Sequence, residues 1–311
     1  MGVYNSNRYA GFTGNLNLGA GCYLTAPAGI NGVFNTTGNT FFVNGFTGDD
    51  ANSGADPAHP FLTIAYAVSK CSNDRDDYIF VLDCWNQDTC PIVIDKSRVH
   101  IIGVSNATMV PFPYAVITGA GVDTVFRLGA NYIEIAGFAM GSSGHACIDL
   151  TASFGGHWIH HNTFGLSVAC QDGIYSAVAD CPSFSTIENN MFDQSITRDG
   201  IRVLGPTRCI IRNNIFREIV GGIGVHVTGP STAEATAIIG NYFYAPIASA
   251  LSAGWAITIG SSGAIIMGNR ASQAGNNAGN SPYVDSTGAG VATRLNGWSD
   301  NWIADAAANP S

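Results

Sequence analysis

Charge is scarce in this chain. Charged residues make up 11% of the 311 positions, and lysine occurs only at Lys70 and Lys96. A soluble domain usually carries about a quarter. The balance of 13 basic and 22 acidic residues gives a net charge of −9. Because phosphate contacts need Lys and Arg, the sequence predicts no nucleic-acid partner.

Long apolar runs are missing too. No stretch approaches the ~20 apolar residues of a membrane-spanning helix, so no membrane association is predicted. The first residues, MGVYNSNRYAGFTGNLNLGAG, lack the cationic start and apolar stretch of a secretory signal. We therefore expect synthesis in a cytoplasm without export by that route.

Paired cysteines are also absent, since none of the eight cysteines belongs to a C-x-x-C motif. The spacing therefore predicts no zinc site. Cys84 and Cys90 flank WNQDT, and a disulfide between them would close a short loop. The alternative, which we favour, is that the cysteines are small buried hydrophobic residues in a reducing cytoplasm.

A repeat dominates the remaining sequence. IENNMF (187–192) returns as IRNNIF (211–216), with related forms IHHNTF (159–164) and IIGNYF (238–243). The segment IEIAGF (133–138) keeps the Ile and the Phe without the Asn. The repeated Asn recurs at steps of 28, 24, 27 and 28 residues, at Asn162, Asn190, Asn214, Asn241 and Asn269. A second series lies between these positions: Ile148, Ile174, Ile201, Val225 and Ile257.

Periods of this length indicate a solenoid. The short β-branched segments between Gly, Asn and Ser predict strands, and coils of 24–28 residues with about three strands predict an all-β, single-stranded parallel β-helix. The apolar repeat residues would point inward, with the aromatic ones in one column: Phe164, Phe192, Phe216 and Phe243. Asn suits a sharp bend, and its amide can bond to the next coil in a ladder.

The repeat divides the chain into four parts. Residues 1–40 carry almost no charge and show no repeat, which predicts an arm that orders against a partner. Residues 41–77 predict an entry strand and a capping helix, 78–271 the β-helix, and 272–311 a C-terminal cap or tail.

Two segments extend the pattern to a known family. FFVNGFTGDDANSGADPAHPFLTIAYAVSKC (41–71) and SRVHIIGVS (97–105), with the repeats, resemble the right-handed parallel β-helix of the pectate-lyase-like superfamily over roughly 40–275. The resemblance implies that fold, with a short helix closing the open end of the solenoid. It does not fix an activity, because this fold carries lyases, hydrolases, binding proteins and viral spikes.

Two aspartates are the catalytic candidates. The segments QDGI (171–174) and RDGI (198–201) resemble the Asp turns of polygalacturonases, which implies catalytic roles for Asp172 and Asp199. One coil apart, the two carboxylates would lie one above the other and separate their pKa values. The family's second Asp, His and Arg-Lys motifs have no match here. Ca²⁺ binding and a simple turn role are the alternatives; without an intact motif, no cofactor is predicted.

A polar column on a neighbouring position predicts a glycan-binding stripe. Its members are Asp149, Tyr175, Arg202 and His226, followed by Thr258. The alternative is an ordinary solvated face. Another outward column, formed by Glu134, His160, Glu188 and Arg212, is interpreted as mutually neutralised surface charge.

These features lead to one hypothesis and one alternative. The hypothesis is a phage virion protein, a spike, fibre or capsid-decorating protein, that forms a homotrimer, attaches to other virion proteins through residues 1–40 and presents the β-helix for host-surface glycan binding or particle stabilisation. The alternative is a polysaccharide depolymerase, hydrolase or lyase, that acts on a host capsule or other acidic glycan.

Overall fold

The computed structural model describes the chain over thirteen ranges: 38–83, 88–104, 115–119, 123–142, 144–151, 154–165, 169–219, 222–229, 235–244, 255–272, 281–287, 296–303 and 306–307. Almost all of the predicted arm (1–40), and Cys84 of the proposed loop closure, lie outside the described residues. Within these ranges no helix is long and apolar enough to span a membrane.

The described residues form 27 strands and one helix, α1 (Ile64–Lys70). Sheet A contains β1 (Thr40–Asn44), β2 (Asp77–Asp83), β4 (Val99–Gly103), β7 (Glu134–Ala136), β10 (Trp158–His160), β13 (Thr186–Glu188), β16 (Ile210–Arg212), β19 (Ala237–Ile239), β22 (Ile265–Met267) and β25 (Gly297–Ser299). Sheet B contains β5 (Ala115–Gly119), β8 (Phe138–Ser142), β11 (Thr163–Phe164), β14 (Met191–Phe192), β17 (Ile215–Arg217), β20 (Tyr242–Tyr244), β23 (Arg270–Ser272), β26 (Trp302–Ile303) and β27 (Ala306–Ala307). Sheet C contains β3 (Ile92–Ile94), β6 (Phe126–Leu128), β9 (Ile148–Leu150), β12 (Cys170–Ala179), β15 (Ile196–Leu204), β18 (Ile223–Thr228), β21 (Ile257–Ile259) and β24 (Tyr283–Asp285).

The order of these strands makes the chain a parallel β-helix, as predicted. Each coil passes through sheets C, A and B in turn, and each strand pairs in parallel with its counterparts one coil before and after. Only β26 and β27 pair antiparallel among the described strands. Parallel strands stacked ~4.8 Å apart bury one side chain of each alternating pair in the solenoid.

The predicted aromatic column is confirmed. The rings of Phe164, Phe192, Phe216 and Phe243 stack with centroids 4.7, 4.6 and 4.7 Å apart and within 14° of parallel. Glycines in sheet C make room for them: a Cβ on Gly173 would lie 2.5 Å from the Phe192 ring. The column therefore depends on contacts between sheets B and C, as well as on stacking within sheet B.

The predicted asparagine ladder is also confirmed. The side-chain amide nitrogen of Asn190 donates to Oδ1 of Asn214 at 3.1 Å and to the Ile159 carbonyl at 2.9 Å. The pattern continues to Asn301. The left-handed residue of the bend is the one before each ladder position, for example Asn189 at φ 54°. Each amide thus bonds main chain and the next amide at once, which satisfies the buried amides of the bend over the coils from Asn162 to Asn301.

Residues 133–138 pair with the next coil two positions away from the register that the repeat predicted. Ile135, not Ile133, pairs with Ile159, and Met140, not Phe138, pairs with Phe164. Phe138 occupies the ladder position, where its N–H donates to Asn162 Oδ1 at 3.1 Å. The cause is the bend, which needs a left-handed residue that Gly137 supplies at φ 77°.

The N-terminal end of the solenoid carries the short helix that the sequence predicts, whereas at the C-terminal end the coils continue into residues 272–311, where the sequence predicted a cap or tail. The helix α1 follows the N-cap Thr63, whose Oγ1 accepts the Tyr66 N–H at 3.2 Å, and it buries Ile64, Ala67 and Val68. At the other end, β24, β25 and β26 continue all three sheets beyond residue 271. The coils persist there because Asn301 supplies another step of the ladder.

Candidate functional site

The outer face of sheet C brings the catalytic candidates together with most of the predicted glycan stripe. Asp172 pairs in register with Asp199, and Tyr175 pairs with Arg202 one coil later. His226 follows Arg202 in the next coil. With Arg198, which immediately precedes Asp199, these residues form what we call the sheet C cluster: Asp172, Tyr175, Arg198, Asp199, Arg202 and His226.

Asp172 is fully buried at the base of this cluster. Its Oδ1 accepts the Nε–H of Arg198 at 2.9 Å and the backbone N–H of Asp199 at 3.1 Å. Its Oδ2 accepts a second bond from Arg198 Nη2. The carboxylate is thus held by a bidentate guanidinium and by the main chain of the next coil.

Asp199 repeats this arrangement one coil later. Its Oδ1 accepts the backbone N–H of Ile223 at 2.9 Å. Its Oδ2 accepts Nη1–H of Arg202 at 2.9 Å and lies 3.0 Å from Nδ1 of His226. Because Nδ1 faces this carboxylate, the other ring nitrogen of His226 is the one left for a ligand.

The pKa values of the two stacked aspartates move in opposite directions. Burial raises the pKa of Asp172, assisted by the negative charge of Asp199 and opposed by Arg198. Burial acts on Asp199 in the same direction, but hydrogen bonds from His226 and Arg202 outweigh it and lower the pKa overall. The geometry gives both aspartates a clear positioning role, and their catalytic roles remain predictions.

The cations of the cluster face solvent above these carboxylates. The side chain of Arg198 is 40% exposed and that of Arg202 32%, against 0% and 3% for their aspartate partners. The Arg198 guanidinium also lies over the Tyr175 ring, 5.2 Å from its centroid. Arg198 is not among the site residues predicted from the sequence, although its place beside Asp199 in RDGI is a signal that identifies it.

Asp149 stands apart from the cluster. It pairs in register with Tyr175, but its charged partner is Arg127, whose Nε lies 3.5 Å from Oδ2. Burial raises the pKa of Asp149, and Arg127 opposes that shift. The predicted stripe is therefore continuous in register but divided between two ion-paired groups.

Sheet A carries a second concentration of polar and aromatic side chains that the sequence did not predict as a site. A groove of about 340 Å³ is lined by Asp76, Arg98, His100, Tyr132, Glu134 and Trp158, together with Ile133 and Gly156. We call it the sheet A groove. The expected column of surface charge is shifted here: Glu134 pairs with Trp158, whereas His160 pairs with Glu188 and then Arg212. The two-residue shift at Gly137 explains the difference.

The described residues offer little to a metal ion. No three His, Cys, Asp or Glu side chains among them are arranged to hold one. The oxygens of Asp172 and Asp199, considered above as calcium ligands, already accept N–H groups. Any ligand of the sheet C cluster would meet guanidinium, imidazole and phenol groups first.

Comparison with known proteins gives structural likenesses only. No protein-family model and no curated protein sequence matches the chain. A rhamnogalacturonan lyase is 12% identical over 77% of this chain and 75% of its own, with a TM-score of 0.47. A GH136 lacto-N-biosidase from Eubacterium ramulus is 11% identical over 86% and 68%, with a TM-score of 0.40. An alginate lyase from Paenibacillus sp. str. FPU-7 is 14% identical over 86% and 99%, with a TM-score of 0.30. At these values the likenesses carry no functional argument, and the parallel β-helix rests on the chain's own sheets.

Proposed function

We propose that the protein binds an acidic polysaccharide through the sheet C cluster. The observation that carries the proposal is the outward position of Arg198 and Arg202 above carboxylates that are almost completely buried. Arg198 uses Nε and Nη2 on Asp172, which leaves Nη1 for a ligand. Arg202 uses Nη1 on Asp199, which leaves Nε and Nη2.

A uronate residue matches these donors. Its carboxylate can accept charge-assisted hydrogen bonds from a guanidinium whose orientation is already fixed by a buried partner. Fixing the side chain in advance lowers the entropy cost of binding. The Tyr175 ring and the His226 imidazole flank the two arginines and supply apolar and polar contacts for neighbouring sugars.

The binding test uses soluble polygalacturonate, alginate and hyaluronan, with dextran as a neutral comparison. We expect Arg198→Ala or Arg202→Ala to weaken binding of an acidic glycan by roughly tenfold, the loss of one charge-assisted bond. Isothermal titration calorimetry on variants with native circular dichroism measures the change. Arg202→Gln serves if an alanine variant does not fold.

Arg217→Ala is the matched control. Arg217 makes the same bidentate contact, from Nε and Nη2 to Asp193 at 3.0 and 2.6 Å, but it belongs to sheet B and is 48% exposed. Its removal should leave glycan affinity unchanged. Equal losses in all three variants, or no binding of any acidic glycan by the natural sequence, would refute the proposal.

A second candidate function is cleavage of the bound glycan by β-elimination. It is favoured by the contact between Asp199 Oδ2 and His226 Nδ1, which orients the imidazole as a general base is commonly oriented. The other ring nitrogen of His226, Nε2, would take the proton from the carbon atom that bears the uronate carboxylate. The carbon–oxygen bond to the neighbouring sugar would break as a carbon–carbon double bond forms, and the leaving oxygen would take a proton from water.

Elimination predicts an unsaturated product that absorbs ultraviolet light. We expect His226→Gln to abolish product formation while acidic-glycan affinity stays within roughly fivefold, since one neutral hydrogen bond is worth about 1 kcal/mol or less. If the natural sequence binds the glycan but forms no product, the cleavage hypothesis is wrong and the binding proposal stands. Product formation that survives in His226→Gln would exclude this residue as the base.

The setting we propose for either activity is a phage particle. The support is residues 1–40, in which Arg8 is the single charged side chain. Such a segment gains order most readily on a partner surface. Removal of residues 1–37, which leaves β1 complete, should abolish copurification with particles while the β-helix still binds glycan. Particles that retain the shortened protein would contradict an attachment role.

A further inference from the structure

The sheet A groove has the amphipathic walls of a ligand site. Its size, about 340 Å³, lies in the range of small-ligand pockets. Two aromatic residues on its wall are open to solvent: Tyr132 is 60% exposed and Trp158 44%. Exposed aromatic rings beside polar groups are typical of binding surfaces, because burying them against a ligand removes apolar area from water.

Trp158 is held in place from two sides. Its indole Nε1–H donates to Glu188 Oε1 at 2.8 Å. Its ring packs on the His160 imidazole, with centroids 3.9 Å apart. The wall of the groove is therefore formed by a fixed ring, and a ligand does not need to order it.

Tyr132 is positioned by its backbone. It adopts φ 57°, a left-handed conformation that a bulky residue rarely adopts. Its ring lies directly against Gly156, where a Cβ would come within 2.3 Å of Tyr132 Cδ1. A left-handed tyrosine in one coil and a glycine in the next thus place a large ring at the edge of the groove.

The polar wall is an ion-paired row. Glu134 accepts from both imidazoles, with Oε2 2.5 Å from His100 Nδ1 and Oε1 2.8 Å from His160 Nε2. Arg98 donates from Nε to Asp76 Oδ1 at 2.7 Å. This wall thus places two carboxylates, those of Asp76 and Glu134, beside one guanidinium and an imidazole. Each of these groups can hydrogen-bond to a hydroxyl group, so the wall suits a ligand rich in hydroxyls.

We propose that the sheet A groove binds a neutral sugar residue. The apolar face of the sugar would lie on Trp158 and Tyr132, and its hydroxyl groups would bond to Asp76, Arg98 and His100 of the polar wall. A pyranose combines one face of C–H groups with an edge of hydroxyls, as the two walls require. This site is separate from the sheet C cluster, and its ligand differs in charge. The inference goes beyond the proposed function and does not depend on it.

The experiment titrates the full chain with linear neutral oligosaccharides, from disaccharides to hexasaccharides of glucose, mannose, galactose and xylose. Calorimetry measures affinity, and tryptophan fluorescence reports contact with Trp158. We expect at least one series to bind and Trp158→Ala to weaken it roughly tenfold or more, as loss of an aromatic contact of about 1.4 kcal/mol does. Tyr132→Gly should weaken it comparably without unfolding the chain, because glycine suits φ 57°.

Matched variants separate this site from the rest of the surface. Trp302→Ala removes a similarly open ring, 39% exposed, from sheet B and should leave the affinity unchanged. Arg202→Ala should also leave it unchanged, and Trp158→Ala should not alter binding of acidic glycans. The inference is overturned if no neutral series binds, or if Trp158→Ala and Tyr132→Gly bind as tightly as the natural sequence.

Discussion

The sheet C cluster and the sheet A groove are built around carboxylates in the same way, but they expose different side chains to solvent. Each holds a nearly buried carboxylate beneath cationic or imidazole side chains from neighbouring coils. On sheet C the upper partners of Asp172 and Asp199 are arginines, exposed by 40% and 32%. In the groove the partners of Glu134 are His100 and His160, exposed by 20% and 12%, and aromatic rings take the open positions.

The difference shows how a uniform solenoid acquires distinct surfaces. The backbone offers equivalent outward positions in every coil, so the ligand preference of a face depends on which side chains are most exposed to solvent there. Arginine keeps its charge at any accessible pH. Sheet C should therefore attract anions over a wide pH range.

The largest expected difference between the two regions concerns stability. Asp199→Ala removes bonds to Arg202 and His226 and leaves the half-buried Ile223 N–H without its acceptor. We expect a loss of about 3 kcal/mol or more in the free energy of unfolding. Glu134→Ala should cost less, because the structure gives its carboxylate imidazole partners and no backbone donor.

Urea unfolding followed by circular dichroism measures both variants. Asp199→Asn provides the control, since its amide oxygen can still accept the Ile223 N–H, and it should recover part of the loss. If Glu134→Ala proves as costly as Asp199→Ala, the backbone contact is not what distinguishes the two carboxylates.

The next effect concerns pH. Burial raises the pKa of Glu134, but hydrogen bonds from His100 and His160 prevail and lower it from 4.5 to about 2. A carboxyl group whose pKa is lowered in the folded state stabilises the fold fully at pH values above its pKa in the unfolded chain. Stability should therefore fall as the pH drops from about 4.5 to about 2, by up to about 3 kcal/mol from this group.

Glu134→Gln should flatten that part of the profile, measured as the urea midpoint against pH. Asp172 contributes to stability with the opposite sign, because its pKa is raised in the folded state. Its contribution to the free energy of unfolding is present at low pH and is lost as the pH rises through its folded-state pKa. An unchanged acid slope in Glu134→Gln would mean that other carboxylates dominate.

The smallest expected effect lies outside both regions. Arg212 donates from Nε to Glu188 Oε2 at 2.7 Å and is 48% exposed. Glu188 retains the Trp158 indole when Arg212 is removed. Arg212→Ala should therefore change the free energy of unfolding by less than about 1 kcal/mol. A loss as large as that of Asp199→Ala would show that exposure does not rank these ion pairs.

The sequence by itself determined the winding of this protein. An Asn and a Phe recurring at the coil length predicted the ladder and the aromatic column, because identical residues at equivalent positions must stack in a parallel solenoid. The same period predicted that Asp172 lies on Asp199 and that Tyr175, Arg202 and His226 follow one another. Near IEIAGF the prediction failed, since Gly137 fixes the bend two residues later than the Ile and Phe suggested.

Only the tertiary structure decided which polar side chains meet and which remain open. The direction of Arg198 over Tyr175, and the imidazoles on both sides of Glu134, depend on rotamers and on neighbours one coil away. The sheet A groove depends on a ring from one coil lying over a glycine in the next. A repeat fixes where each Cβ lies along the solenoid, but side-chain packing and hydrogen bonding between coils determine the surface that a ligand meets.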